Sequence, residues 1–221
     1  MGVTILFFSG LVLVAVWWLS TQRLTSKPWL EQGSAGEFPG SGVFAAPTAK
    51  VGLCVLLAAI GSLFALFISA YLMRMQLADW RPVPKPTVLW VNTGMLMLSS
   101  AALQWARTRL DRGDVEGGRT ALFMAGGAAL GFVAGQLVAW WQLDEAGYFL
   151  TSNPASSFFY LITALHGVHV LGGLAALGRN LGRAWTAREP ARLGLGVDLC
   201  SLYWDFLLLT WLVLFSLLLL S

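Results

Sequence analysis

The sequence predicts an all-α integral membrane protein, built as a bundle of six transmembrane helices. Of its 221 residues, 57% are hydrophobic and only 11% are charged, whereas a soluble domain carries about 25% charged residues. The apolar residues form long blocks and not amphipathic stripes, and the basic residues lie between the blocks. Such a chain has too little polar surface to cover a water-soluble globule, so the apolar blocks are expected to lie in a bilayer.

Six apolar segments approach the length of roughly 20 residues that crosses a bilayer core. The first could be a signal peptide, but no Lys or Arg precedes it and no small-residue cleavage site follows it, so we interpret it as a retained helix. The chain then divides into this N-terminal helix with its long loop, residues 1–49, and a five-helix membrane domain, residues 50–221. The six predicted spans are Val3–Ser20, Val51–Met73, Val88–Ala106, Ala121–Gln142, Phe158–Gly178 and Leu199–Leu220.

The distribution of basic residues predicts the orientation of the bundle. With six spans, the loops at 21–50, 107–120 and 179–198 lie on one side and hold all but three of the 14 Lys and Arg residues. By the positive-inside rule this side is cytoplasmic, which places both termini in the periplasm and the protein in the cell inner (plasma) membrane. Topology thus explains the net charge of +3, and no nucleic-acid partner is predicted. The three exceptions are Arg74, Arg81 and Lys85.

The fifth span contains both histidines of the chain, His166 and His169, three residues apart on one helix face. A metal site needs three or four protein ligands. The two cysteines, Cys54 and Cys200, lie in separate apolar stretches and cannot supply the missing ones. We therefore predict no catalytic, cofactor-binding or metal-binding residue in this chain, and we assign the histidines to hydrogen bonding between helices. A haem-binding cytochrome is excluded by the same ligand count.

The sixth span contains an acid, Asp205. A helix rises about 1.5 Å per residue, which places Asp205 roughly 9 Å and His169 roughly 13 Å from the cytoplasmic face. The two side chains are therefore predicted to be partners between neighbouring helices. A proton-relay carboxylate is the alternative, but no second acid at depth continues a relay, so a structural acid is favoured.

Two further groups of residues predict close helix packing. Asn92 begins a polar stretch in the third span, and the fourth span carries glycines at four-residue spacing, which form a ridge for a neighbouring helix. A freestanding transporter would instead show inverted repeats and broken helices, and neither is found; the prolines are confined to loops. The ridge glycines are Gly127, Gly131 and Gly135.

Several stretches, in this order along the chain, resemble cytochrome c oxidase subunit III. The similarity covers about residues 50–220, or five of the six spans. His-Gly-x-His-Val and Leu-Tyr-Trp, in order and at this spacing, are its most specific parts; they contain Gly167, Tyr203 and Trp204. The matching stretches are Lys50-Val-Gly52, Ser69-Ala-Tyr-Leu72, Leu89-Trp-Val-Asn-Thr93, Gln104-Trp-Ala106, Phe159-Tyr-Leu-Ile-Thr163, His166-Gly-Val-His-Val170 and Leu202-Tyr-Trp204.

This resemblance implies a non-catalytic subunit of a respiratory haem–copper oxidase, an oxidoreductase that also translocates protons. In that family the subunit packs beside catalytic subunit I and other oxidase subunits and binds phospholipid in a cleft, and haem and copper lie in the partner subunits. An accessory subunit of a quinol oxidase or of a nitric oxide reductase is the near alternative, and a membrane transporter is the alternative from a different class.

The sequence departs from the family pattern at two positions. The family often has a buried glutamate where this chain has Ile60, and it usually has histidine after Tyr-Trp, followed by an acid three residues on. This chain has Asp205 and then Leu208. Both departures argue against proton chemistry within this subunit, and neither changes the packing role.

Overall fold

The described part of the chain is entirely helical apart from its turns. The computed structural model describes residues 45–186 and 190–220. The predicted first span, Val3–Ser20, lies outside the described residues. The helices are α1 (Ala45–Arg74), α2 (Val88–Asp111), α3 (Val115–Glu145), α4 (Pro154–Thr186) and α5 (Pro190–Leu220).

The turn between α2 and α3 is short and its sequence explains its shape. Gly113 has a φ of 77°, a conformation that glycine adopts without steric cost. The next residue, Asp114, caps α3 because its Oδ1 accepts a hydrogen bond of 2.8 Å from the backbone N–H of Gly117. Only residues 112–114 separate the two helices, so α2 and α3 run antiparallel as neighbours.

The helices extend well beyond the apolar segments from which they were predicted. α3 begins at Val115 and α4 continues to Thr186, so most of the predicted loops at 107–120 and 179–198 is helical. Arg119, Arg179 and Arg183 are therefore helical residues and not loop residues. The helical backbone therefore continues through charged residues past the end of each apolar segment.

Four of the helices form a closed ring. α2 packs against α3, α3 against α4, α4 against α5, and α5 back against α2. α1 lies outside this ring and contacts α5 and α4. The most deeply placed large side chains, Trp204 and Trp211, are both on α5 and fully buried, so α5 supplies much of the core against which the other helices pack.

Four described helices are long and apolar enough to cross a membrane: α1, α3, α4 and α5. The predicted count of six spans is not supported within the described residues. α2 is excluded by its polar composition, but Asn92, Thr93, Ser99 and Ser100 on this helix are all buried against its neighbours. Their polar groups lie inside the bundle, where other helices can hydrogen-bond them.

Candidate functional site

The acid on α5 is held by two side chains of α2. Asp205 Oδ1 accepts a hydrogen bond of 2.5 Å from Ser100 Oγ, and its Oδ2 accepts one of 2.6 Å from Gln104 Nε2. Ser100 and Gln104 are four residues apart and so share one face of α2. These two hydrogen bonds tie α2 to α5 within the bundle.

The predicted partner of Asp205 was His169, and the structure gives the carboxylate partners on α2 instead. His169 Nδ1 lies 2.8 Å from Leu165 O, within its own helix. On the neighbouring helix, Tyr203 Oη donates to His169 O at 3.0 Å. However, Tyr203 and Asp205 are two residues apart, which is roughly 200° around a helix. Since Tyr203 faces α4, Asp205 faces away from it.

An ion-paired acid lies two turns before Asp205, at the end of the bundle where α1 and α5 begin and α2 ends. Asp198 is paired with Lys50 of α1 at 3.0 Å and with Arg107 of α2 at 2.8 Å. Three helices therefore meet at one carboxylate. We call this the basic end of the bundle; Arg119 also lies here, and its Nε donates to Ala184 O at 2.7 Å.

His166 lies among aromatic side chains in the middle of the bundle. Its ring centroid is 5.2 Å from that of Trp211, 5.7 Å from that of Phe132 and 6.2 Å from that of Phe64. The ring is fully buried, and neither ring nitrogen has a hydrogen-bond partner among the described residues. The predicted hydrogen bond from His166 to another helix is therefore not found among these residues.

Within residues 45–186 and 190–220, no group of three or more His, Cys, Asp and Glu side chains is placed to hold a metal ion. Cys54 is exposed and Cys200 is buried, and both are free thiols.

The glycine ridge of α3 faces α2 at two of its three positions. A Cβ on Gly135 would lie 1.9 Å from Asn92 Oδ1, and one on Gly131 would lie 3.5 Å from Met95 Sδ. Asn92 Nδ2 donates to Gln136 Oε1 at 3.4 Å. Gly135 therefore provides the space into which the Asn92 amide fits. A Cβ on Gly127 would meet nothing within 4 Å, so no close approach accounts for this glycine.

The Tyr-Trp pair of α5 packs on a glycine of α4. A Cβ on Gly173 would lie 2.5 Å from Trp204 Cζ3 and 3.0 Å from Tyr203 Cε1. By contrast, a Cβ on Gly167, within the His-Gly-x-His motif, would meet nothing within 4 Å. Gly173, and not Gly167, is thus a point of close contact between α4 and α5.

Several site residues were missed by sequence reasoning, although a signal existed for some of them. Ser100 and Gln104 were not predicted as partners of Asp205, although their four-residue spacing places two hydrogen-bond donors on one helix face. Thr93 Oγ1 accepts from Trp211 Nε1 at 3.0 Å, and Gln136 is a buried amide in an apolar span. Nothing in the sequence specified which helices these side chains would face.

Two carboxyl groups outside the spans have lowered pKa values. The backbone N–H of Gly117, and then Arg109, hold the pKa of Asp114 below its usual range. Hydrogen bonding to Arg74 does the same for the pKa of Asp79. Both carboxylates stabilise a helix end or turn in the ionised form.

Comparison with known proteins identifies close sequence similarity over the described bundle. The family model described as Cytochrome c oxidase subunit III matches residues 50–220. A cytochrome c oxidase subunit 3 from Thermostichus vulcanus is 31% identical over 176 residues, which cover 76% of this chain and 85% of that protein. One from Synechocystis is 29% identical over 75% of this chain and 72% of that protein. A probable cytochrome c oxidase subunit 3 from Nocardia farcinica is 30% identical over 76% and 85%, respectively.

Proposed function

Because the chain belongs to the cytochrome c oxidase subunit III family, we propose that it acts as a subunit without a redox centre, beside catalytic subunit I of a haem–copper oxidase. Its contribution in this proposal is to stabilise the catalytic subunit and the lipids around it while oxygen is reduced and protons are translocated. Haem and copper are then held by the partner subunits, and the electron donor is determined by those chains.

The observation that carries this proposal is the enclosure of His166. Three aromatic rings from α1, α3 and α5 surround the imidazole, so a haem or a partner's metal could reach it only if the core opened. The other histidine, His169, engages Leu165 O through Nδ1. A metal site needs three or four protein ligands, and within the described residues no such group of His, Cys, Asp and Glu is found.

The same proposal includes the setting of the subunit in the membrane. Its basic end faces the cytoplasm, both termini are periplasmic, and the membrane is the cell inner (plasma) membrane. The charge distribution supports this orientation. At the opposite end, Arg74 is paired with Asp79 and Lys85 Nζ donates to Leu219 O at 3.1 Å, so these basic groups serve the fold itself. α2 and the predicted N-terminal helix complete the proposed six crossings, and phospholipids are proposed partners on the lipid-facing apolar surfaces.

Removal of the chain from the oxidase tests the proposal. A core complex that lacks it should still contain all its haem and copper and should reduce oxygen at an initial rate within a few fold of the intact complex. It should then inactivate faster during turnover, because an apolar flank of the catalytic subunit is newly exposed. Immediate and complete loss of oxygen reduction in a core that retains its haem and copper would refute the proposal.

A further inference from the structure

Two buried polar side chains near the middle of the bundle lack hydrogen-bond partners for some of their atoms. Gln136 Nε2 and both ring nitrogens of His166 have no partner among the described residues. Gln136 is 4% exposed and His166 is 0% exposed. An unsatisfied buried polar group costs free energy comparable to a lost hydrogen bond, and native structures satisfy nearly all of them with protein groups or ordered water.

These two side chains are at neighbouring levels of α3 and α4. Phe132, one turn before Gln136, contacts the His166 ring at 5.7 Å. Trp140, one turn after Gln136, donates its Nε1 to Thr163 Oγ1 at 3.0 Å. Because residues four apart on a helix share a face, Gln136 lies opposite the turn of α4 between Thr163 and His166.

The nearby polar side chains already have partners. Thr163 Oγ1 donates to Phe159 O at 2.7 Å and accepts from Trp140. Trp211 Nε1, beside the His166 ring, donates to Thr93 Oγ1. Gln136 Oε1 accepts from Asn92 Nδ2. Gln136 Nε2 and the imidazole nitrogens of His166 therefore remain without partners among the described residues.

We propose that a single water molecule binds between the side chains of Gln136 and His166. One water joins polar atoms about 5–6 Å apart, through two hydrogen bonds of roughly 2.8 Å each. It accepts from the Gln136 amide and donates to the unprotonated nitrogen of a neutral His166.

The bound water completes a polar chain across three helices, from Asn92 on α2 through Gln136 on α3 to His166 on α4. Gly135 is part of the same arrangement, because it admits the Asn92 amide that engages Gln136. The water thus gives the first histidine of the His-Gly-x-His motif a hydrogen bond and a defined tautomer. This role differs from the direct hydrogen bond between helices that the sequence predicted.

A density map of the intact oxidase at about 2 Å resolution tests the proposal directly. We expect an isolated solvent peak within hydrogen-bond distance of both Gln136 and a ring nitrogen of His166. A map that resolves other buried waters and shows no peak there would overturn the proposal, and so would a side-chain rearrangement that joins the two residues directly.

Substitutions in the intact oxidase provide a second, independent test through the temperature at which this subunit unfolds or dissociates. If the water binds, His166→Leu and Gln136→Leu each remove one of its partners and lower this temperature. The double variant should then lose less than the sum of the two single shifts. Additive shifts, or a higher temperature for His166→Leu, would mean that the histidine is an unsatisfied group and would refute the water site. Gln142→Leu, the same chemical change at an exposed position, is the matched control. If His166→Leu does not assemble, the map of the unsubstituted oxidase still decides the question.

Discussion

The carboxylate of Asp205 on α5 accepts a hydrogen bond of 2.6 Å from the side-chain amide of Gln104 on α2. This contact joins two helices that are far apart in sequence. The second carboxyl oxygen of Asp205 accepts a hydrogen bond from Ser100, which lies one turn from Gln104. The acid therefore has a structural role in fixing α2 against α5.

This contact predicts energetic coupling between the two residues. Asp205→Leu and Gln104→Leu should each destabilise the subunit, and the double variant should show a coupling on the order of 1 kcal/mol, the size of a hydrogen bond between membrane helices. The measurement is a double-mutant cycle on thermal unfolding in detergent. Pairing Asp205→Leu with His169→Ala is the control, for which we expect additive effects. Coupling to His169 that exceeds the coupling to Gln104 would contradict the assignment.

The packing of α4 on α5 should be sensitive to Gly173 and not to Gly167. A methyl group on Gly173 would overlap the Trp204 ring, and such overpacking typically costs 1–3 kcal/mol, about what we expect for Gly173→Ala. Gly167→Ala meets no atom within 4 Å and should leave the thermal stability nearly unchanged. In a Trp204→Leu background, Gly173→Ala should lower the thermal stability less than it does in the unsubstituted protein. Equal effects of the two alanine substitutions would disprove this account.

The space beside Gly135 is predicted to be reserved for Asn92. Gly135→Ala should displace the Asn92 amide and break its bond to Gln136, at a cost of about 1 kcal/mol. In an Asn92→Ala background, Gly135→Ala should destabilise the protein much less, because the Asn92 Oδ1 atom that the new methyl group would meet is absent. Gly127→Ala, on the same ridge but with open space around it, serves as the control. A loss from Gly135→Ala that is unchanged in the Asn92→Ala background would show that another contact is responsible.

Acid should weaken the turn between α2 and α3 through Asp114. The pKa of this carboxyl is lowered in the folded protein, chiefly by the Gly117 N–H. Its stabilising contribution is therefore present above the unfolded-state pKa of about 3.9 and is lost as the pH falls through the folded value. The unfolding temperatures of the unsubstituted protein and of Asp114→Ala should differ at neutral pH, and the difference should narrow below about pH 4. A difference that widens on acidification would reverse the assigned sign.

The proposed orientation predicts which turns can be labelled from each side of the membrane. With Cys54 and Cys200 replaced by serine, a cysteine at Arg112 should react with an impermeant thiol reagent only from the cytoplasmic side. A cysteine at Leu150, in the turn between α3 and α4, should react only from outside. Labelling in intact cells and in inverted vesicles provides the measurement, and reaction of the Leu150 position from the cytoplasmic side would overturn the orientation.

The sequence was sufficient for much of the helical architecture. The five apolar segments from Val51 onward all lie in helices, because long apolar blocks must satisfy their backbone hydrogen bonds internally in a bilayer. The predicted spans were shorter than the helices wherever a helix continues through charged residues, such as Arg119 and Arg183, beyond its apolar part. Hydropathy locates the segment that lies in the apolar part of the bilayer. The helix itself can extend further, because its ends depend on backbone hydrogen bonding and side-chain contacts.

The family was also determined by the sequence, since its motifs are local and occur in a fixed order. The partners of the polar residues were decided by the tertiary structure. Depth along a helix can be counted from the rise per residue, and that count predicted Asp205 and His169 to be partners. The direction of a side chain around the helix axis depends on which neighbour each face meets. Helix contacts such as Gly173 with Trp204 and Gly135 with Asn92 determine which faces meet. In the resulting packing, Asp205 faces Gln104 and His166 lies among aromatic rings.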